Sequence, residues 1–396
     1  MRTIGVVTVG RSDYGLYVPI LRRISEDPEL RLHLIVAGMH LSADFGLTVR
    51  AIEADGFAIG DRVEMLLASD TPQAIAKSMG LGVIGFAESY TRLRPDILLV
   101  LGDRFEMHAA VLAALPFTLP VAHIHGGELT EGAFDDALRH SITKLSHLHF
   151  VAADEYARRI IQMGEEPWRV VVSGSPALDD LGARARLGRQ ELERRFAVSL
   201  DRPPLLVTFH PVTLEHDDTE SQVVELLAAL DATDLPLVFT QPNADTHGRL
   251  IARMIADYAA RRPRAWMVHN LGREGYASMM VCAAAMVGNS SSGLVEAPSL
   301  EVPVVNVGTR QQGRIRARNV IDAGHGREEI IAGIRQATTP EFRASLAGLV
   351  NPYGNGRAAE VIVGRLKEIG LDRRLITKRF ADAPAALREA RYAGVD

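Results

Sequence analysis

Short runs of valine, isoleucine and leucine recur along the chain, and each is followed by a longer amphipathic stretch. This alternation implies βαβ units on a parallel sheet. Parallel strands are buried on both faces, so they read as near-continuous apolar runs, and each needs a crossover helix to return. In the first half the pattern predicts strands at 3–9, 32–37, 97–101, 121–124, 149–152 and 170–172. It begins again after "SGSPALDDLGARARLGRQ", with strands at 205–209, 237–240, 265–268, 286–288 and 304–307. The restart marks a domain boundary near 173–187. A chain of 396 residues also exceeds the roughly 250–300 residues at which one core stops growing. The expected fold class is therefore α/β, with two doubly wound Rossmann-like domains. They share an architecture without a detectable sequence repeat. In such sheets ligands bind at the carboxyl ends of the strands, and two domains facing each other would set both groups of strand ends on one cleft.

Composition narrows the function classes. Charged residues are 23% and hydrophobic residues 47% of the chain, an ordinary globular balance. The formal net charge of -5 argues against nonspecific nucleic-acid binding. Cys282 is the single cysteine, so an intrachain disulfide is excluded and a cytosolic setting is the simple reading. The N-terminal "MRTIGVVTVGRSDYG" reads as a strand feeding a polar turn, without a cleavage-like segment. No apolar run approaches the ~20 residues needed to cross a bilayer, so no membrane partner is expected.

The chemistry concentrates in 101–144, "LGDRFEMHAAVLAALPFTLPVAHIHGGELTEGAFDDALRHSITK". Asp103 and Arg104 follow one predicted strand, and Glu128 follows the next after a glycine pair. Asp135, Asp136 and Arg139 open the "DDALRHSITK" helix. Carboxylates gathered at strand ends can serve as paired general acid and base, with pKa values pushed apart by environment. The alternative for Asp135 is helix N-capping, with Asp136 favouring the helix dipole. His123, His125, His140, His147 and His149 invite a metal reading. Spacing speaks against it: His123 and His125 alternate along one strand face, and no HExxH or cysteine pair closes a shell.

Anion-binding signals lie mainly in the second half. "VGNSSSGLVEAPSL" is a strand followed by Asn289, Ser290, Ser291, Ser292 and an apparent helix, where amides and hydroxyls could hold phosphate; an ordinary N-cap explains the serines equally well. "VVNVGTRQQGRIRARNVID" places Arg310, Arg314, Arg316 and Arg318 after another strand. There guanidinium groups could grip a diphosphate, although a solvated basic loop accounts for at least two of the four. His210 ends "VTFH" as a phosphate donor or proton carrier, or as a structural histidine. Asn243 and Asp245 sit in a strand-to-helix loop that a plain turn also explains. In the first half "TVGRSDYG" sets Gly10, Arg11 and Gly15 at a strand-to-helix turn. It matches neither the GxGxxG fingerprint nor a Walker loop, so no nicotinamide cofactor is expected.

Taken together, "RSDYG", "GDRFE", "HIHGGELTEGAFDDALRHSITKLSHLHF", "FHPVT", "GNSSSGLVEAPS", "GTRQQGR" and "NPYGNGRAAEVI" resemble the hydrolysing UDP-N-acetylglucosamine 2-epimerases, bacterial enzymes that begin sialic acid or legionaminic acid synthesis. The match runs in order from about residue 3 to about residue 366. The resemblance implies a GT-B type fold: a first domain at 1–175 with the sugar and its acid/base residues, a second at 176–366 with the nucleotide, and a tail at 367–396 that can cross back. A UDP-sugar substrate and a homodimer or homotetramer are implied with it. The family's nucleotide contacts fall on Arg11, His210, Ser290, Ser291, Glu296 and Arg310, with Arg104, Arg139, Asn243 and Arg314 as further substrate-binding candidates. Its acid and base residues fall on Asp103 and the Asp135/Asp136 pair, with Glu128 close by. Non-hydrolysing and animal relatives carry a glutamate where this chain has His125, so His125 or Glu128 would take over that proton. Where the animal "RADYS" version has a serine, this chain has Gly15.

The reaction so implied removes the nucleoside diphosphate from sugar C1 and the proton from C2, giving a 2-acetamidoglycal. Water then adds, with a proton delivered to the opposite face of C2. Two differently placed proton carriers are required, and carboxylates stabilise the oxocarbenium character as the leaving group departs. Three other readings share parts of the pattern. A GT-B glycosyltransferase would give the clustered acids no purpose. A non-hydrolysing epimerase would release intact nucleotide sugar, and a nucleotide-sugar sensor would tolerate loss of Asp103 and Asp135. UDP-N-acetylglucosamine and UDP-N,N'-diacetylbacillosamine are the two substrates this reading admits.

Overall fold

The computed structural model describes residues 1–69, 71–130, 134–184, 186–242 and 248–382. Among them, seven strands form one parallel sheet: β1 Arg2–Thr8, β2 Leu30–Ala37, β3 Ile59–Val63, β4 Ile97–Leu101, β5 Val121–Ile124, β6 Leu148–Val151 and β7 Val170–Val172. Their order is β3-β2-β1-β4-β5-β6-β7. A second sheet holds β8 Leu205–Thr208, β9 Leu237–Thr240, β10 Ala265–Val268, β11 Ala285–Gly288, β12 Val304–Val307 and β13 Val320–Ala323, in the order β10-β9-β8-β11-β12-β13. Both orders reverse direction once, next to β1 and next to β8. Those switch points are where doubly wound sheets open a crevice at their strand ends.

Strand periodicity builds the layers. Ile4 and Val6 of β1 enter one apolar cluster with Ile97 and Leu99 of β4, whereas Val7 joins Leu98 and Val100 in the cluster on the opposite face. The second sheet repeats the rule, with Val207 and Val287 on one side and Leu206 and Met286 on the other. Eleven of these strands match the sequence pattern to within two residues at each end. β3 and β13 do not show in it. Each is an edge strand, which pairs on one side only. "IGDRV" and "VIDA" therefore carry polar residues and lack the long apolar run of a central strand.

The chain divides into two compact units, one made of Met1–Glu128, Phe134–Pro176 and the chain from Arg357 on, the other containing Ala177–Gly356. The expected second domain ended at 366, but the return comes at Arg357. The physical reason is helix Ala358–Glu368, whose Ala359, Ile362, Val363 and Leu366 share a core with Tyr17, Ile20 and Leu21 of helix Arg11–Glu26. Beyond it, the fully buried Arg169 donates to the carbonyls of Arg374, Leu375 and Thr377 at 3.0, 2.8 and 3.0 Å. Lys378 reaches Glu165 at 2.8 Å. No helix among the described residues is long and apolar enough to cross a membrane.

Candidate functional site

In the first unit the acids meet at the carboxyl ends of β4 and β5. Gly102 turns the chain there at φ 80°, and its carbonyl accepts from His123 Nε2 at 2.8 Å. Asp103 follows. Arg139, one helical turn after Asp135, is only 3% exposed. One of its nitrogens donates to Asp103 Oδ2 and the other to Glu128 Oε2, the latter at 3.4 Å. Burial works against its charge, but Asp103 and Glu128 more than offset that and hold the guanidinium above its ordinary pKa. Arg139, expected among the substrate-binding residues, is thus the bridge between two carboxylates from separate strand ends.

His125 lies beyond β5, not within it. Its φ is 64°, so it leaves the strand in the left-handed region, and the expected alternation with His123 on one face does not occur. His125 Nδ1 meets Glu128 Oε1, and its Nε2 lies 3.4 Å from Ser175 Oγ just after β7. The following glycines make this turn possible: a Cβ on Gly127 would stand 2.5 Å from the Tyr156 carbonyl oxygen. A row results, Ser175–His125–Glu128–Arg139–Asp103, drawn from four segments of the chain.

The other first-unit candidates have definite partners. Asp135 and Asp136 occupy the first turn of helix Phe134–Leu145, where the helix dipole favours carboxylates. Asp136 pairs with His140 at 3.4 Å. Arg104 is clasped by both oxygens of the fully buried Glu106 at 3.1 Å each and feels the charges of Asp13 and Asp135. Arg11 is exposed at the start of helix Arg11–Glu26, and Gly15 lies one turn inside that helix, not in the turn before it. The amides of Val9 and Gly10 donate to Asp13 at 2.9 and 2.8 Å, so the turn serves the chain's own carboxylate. Burial pushes Asp13 up to about 6 against those amides. Among the remaining histidines, His123 is pushed down to about 3 by burial, His147 Nδ1 accepts the Val121 amide at 3.1 Å, and His149 meets Glu165 at 3.1 Å. These are framework roles.

The second unit assembles the anion-binding candidates at the ends of β8, β11 and β12. Asn289 brackets the His210 backbone, accepting from its N–H at 2.7 Å and donating to its carbonyl at 2.8 Å. The Asn289 carbonyl in turn accepts from Arg310 at 3.2 Å and Gln311 at 2.8 Å. Burial, then the Arg310 charge, takes the His210 imidazole down to about 3, so it is neutral at working pH. Gly288 has φ 132°, and a Cβ there would fall 2.0 Å from the Thr208 carbonyl oxygen. That close approach brings the serine loop against β8. Helix Ser292–Val295 is a single turn. The expected helix N-terminus is therefore short, and hydroxyls carry more of the polarity than a macrodipole does. Glu296 is half-buried and raised to about 7 by desolvation, countered by Arg184 and Arg273.

Of the four arginines in the basic stretch, two are spent on the fold. Arg316 pairs with Asp322 at 2.8 Å and Arg318 donates to the Ala347 carbonyl at 3.0 Å. Arg314 is half-buried in the same loop. Asn243 and Asp245 lie outside the described residues. Sequence reasoning passed over Ser175, Gln311 and Asp13 as partners within these arrangements. All three stand inside quoted stretches that follow strands and could have been found.

The sequence model of the UDP-N-acetylglucosamine 2-epimerase family matches residues 22–367. The chain is 40% identical over 324 residues to the GDP/UDP-N,N'-diacetylbacillosamine 2-epimerase (hydrolyzing) of Campylobacter jejuni, covering 81% of this chain and 84% of that one. It is 37% identical over 379 residues to the UDP-N,N'-diacetylbacillosamine 2-epimerase (hydrolyzing) of Legionella pneumophila, covering 96% and 99%. Among solved structures, the UDP-GlcNAc 2-epimerase of Neisseria meningitidis bound to UDP-GlcNAc superposes with a TM-score of 0.81 at 18% identity, over 92% of this chain and 99% of that one. At that identity the likeness speaks for the two-domain GT-B type fold.

Proposed function

This chain belongs to the UDP-N-acetylglucosamine 2-epimerase family, and we propose that it is a hydrolysing 2-epimerase whose substrate is UDP-N,N'-diacetylbacillosamine. The observation that carries the reading is the Arg139 bridge between Asp103 and Glu128, with His125 on the far side of Glu128. It gathers acids and an imidazole at two neighbouring strand ends, the equipment for moving two protons. Identity supports the choice of sugar: the relatives at 40% and 37% carry the diacetylbacillosamine name, while a UDP-N-acetylglucosamine 2-epimerase of Neisseria meningitidis stands at 31%.

In this reading a base takes the C2 proton while the C1–O bond breaks, and UDP leaves with the bonding pair. A C1=C2 double bond remains, the 2-acetamidoglycal. Water then adds at C1 as a proton reaches the opposite face of C2, giving the free 2-epimerised sugar. Asp103 and the His125–Glu128 pair act as the two proton carriers. Asp135 and Asp136 add negative charge that favours the oxocarbenium character of C1. On the nucleotide, Ser290, Ser291 and Arg310 take the diphosphate, with Arg314 as a further cation. The neutral His210 hydrogen-bonds a phosphate oxygen, and the Glu296 carboxylate accepts the ribose hydroxyls. The same reading puts the enzyme in the cytosol as a homodimer or homotetramer.

The test is proton and phosphorus NMR in deuterated water. UDP-N,N'-diacetylbacillosamine, its GDP-linked counterpart and UDP-N-acetylglucosamine are supplied in turn. Free UDP with a 2-epimerised, C2-deuterated sugar, formed fastest from the first substrate, is the expected result. Exchange at C2 with the nucleotide sugar left intact would instead establish non-hydrolysing epimerisation. No change with any of the three would end the epimerase reading.

A further inference from the structure

Three hydroxyl groups line up beneath the serine loop of the second unit. Tyr276 stands on helix Gly272–Cys282, and its hydroxyl lies 2.6 Å from Ser292 Oγ. Ser292 Oγ is 2.8 Å from Ser290 Oγ. Ser292 is buried, and Ser290 is the half-buried end of the row that follows β11. A separate hydroxyl pair, Thr240 and Thr208 at the ends of β9 and β8, is 2.7 Å apart.

A hydroxyl has one hydrogen to give and two lone pairs to receive with. A row in which each gives its hydrogen to the next leaves one unspent hydrogen at its end, and each bond polarises the following one. A phenol is more acidic than an aliphatic hydroxyl and so the stronger donor, and the row therefore runs from Tyr276 to Ser292 and on to Ser290. The Ser290 oxygen, which also accepts from the Ser292 backbone N–H at 3.4 Å, then keeps its own hydrogen for a group outside the row.

We propose that Tyr276 is a positioning residue for the diphosphate: its hydroxyl hydrogen orders Ser292 and, through it, turns Ser290 into a fixed hydrogen donor toward the anion. The proposal rests on the reading that Ser290 holds the diphosphate. Tyr276 supplies the hydrogen that a threonine or serine pair alone would leave free to rotate. Desolvation, with the Glu296 charge, raises its phenol above the ordinary value, so that hydrogen stays in place across the working range.

Calorimetry with UDP and with uridine tests this on the parent chain, Tyr276→Phe, Ser290→Ala and the double variant. Phenylalanine keeps the ring, so Tyr276→Phe should weaken UDP by about three- to tenfold, the worth of one hydrogen bond, and leave uridine unchanged. In the Ser290→Ala background the second substitution should add nothing, because its effect travels through Ser290. Ser292→Ala, which cuts the row without touching the aromatic ring, should reproduce the Tyr276→Phe loss. Unchanged UDP affinity, equal losses for UDP and uridine, or additive penalties in the double variant would each overturn the proposal. If the parent chain itself holds UDP no better than uridine, the diphosphate reading fails, and the proposal falls with it.

Discussion

His125 stands one residue past β5 at φ 64°, with Nδ1 against the Glu128 carboxylate. A residue with a Cβ adopts that backbone at a cost of about 1–2 kcal/mol, so the surroundings must hold it there. An ionised carboxylate can only accept. It therefore fixes the imidazole hydrogen on Nδ1 and leaves Nε2 as an acceptor facing Ser175. This orientation gives the imidazole a defined proton-accepting nitrogen.

Glu128→Gln removes the charge that orients His125 and relieves Arg139 of one partner. Turnover should fall by at least about a hundredfold, the usual worth of a placed proton carrier, while UDP affinity, set in the other unit, stays within about twofold by the same reasoning. Steady-state rates and UDP calorimetry on the one variant separate the two effects. Near-normal turnover would remove the pair from the proton path.

Arg139 is a stability element as well as a bridge. Arg139→Met would leave the Asp103 and Glu128 carboxylates without the cation that compensates them. Breaking a buried ion pair at one partner costs about 3–5 kcal/mol. Trp168 lies in the same unit and Trp266 in the other, so fluorescence during urea unfolding, read in a Trp266→Phe background, reports on the first unit. A midpoint equal to the parent's would show that the carboxylates find other compensation.

The two sheets were legible in the sequence because central parallel strands such as Ile97–Leu101 and Leu237–Thr240 are apolar on both faces. β3 and β13 were hidden because edge strands need no such run. Asp103, Glu128 and Asp135 could be named from their place after strands, yet their common partner could not. Nothing in "DDALRHSITK" says that Arg139 points inward while Lys144 reaches Glu165 at 2.6 Å, since that depends on how the helix is rotated against the sheet. The return of the chain at Arg357 was equally invisible. Helix Ala358–Glu368 is amphipathic wherever it docks, and only the fold shows that its apolar face covers helix Arg11–Glu26.

Asp13 makes stability depend on pH. Unfolded, it releases its proton near 3.8; folded, it keeps it to about 6, because burial outweighs the amides that bind it. Over that window the folded state holds the extra proton, so stability falls as pH rises, by up to about 3 kcal/mol. Asp13→Asn has no such proton. Relative to the parent, it should therefore gain stability between about pH 4 and about pH 7. Urea midpoints of both proteins across that range decide it, and a difference independent of pH would contradict the raised pKa.

Arg310 and Arg316 stand six residues apart in one basic stretch but should respond differently to removal. Arg310 donates to the Asn289 carbonyl, beside Ser290, and its charge helps depress His210. Arg316 is committed to Asp322 through a 2.8 Å pair at the edge of the second sheet. A guanidinium that grips a diphosphate contributes about 1.5–3 kcal/mol through charged hydrogen bonds. Arg310→Ala should therefore weaken UDP by about ten- to a hundredfold while leaving uridine nearly untouched. Arg316→Ala should alter neither affinity beyond about twofold, because surface pairs of this kind are worth at most about 1 kcal/mol and act on the fold. Calorimetry with both ligands on both variants makes the comparison. Equal losses of UDP in the two would mean that the basic stretch attracts the nucleotide only through its summed charge, and that no arginine in it forms a dedicated clamp.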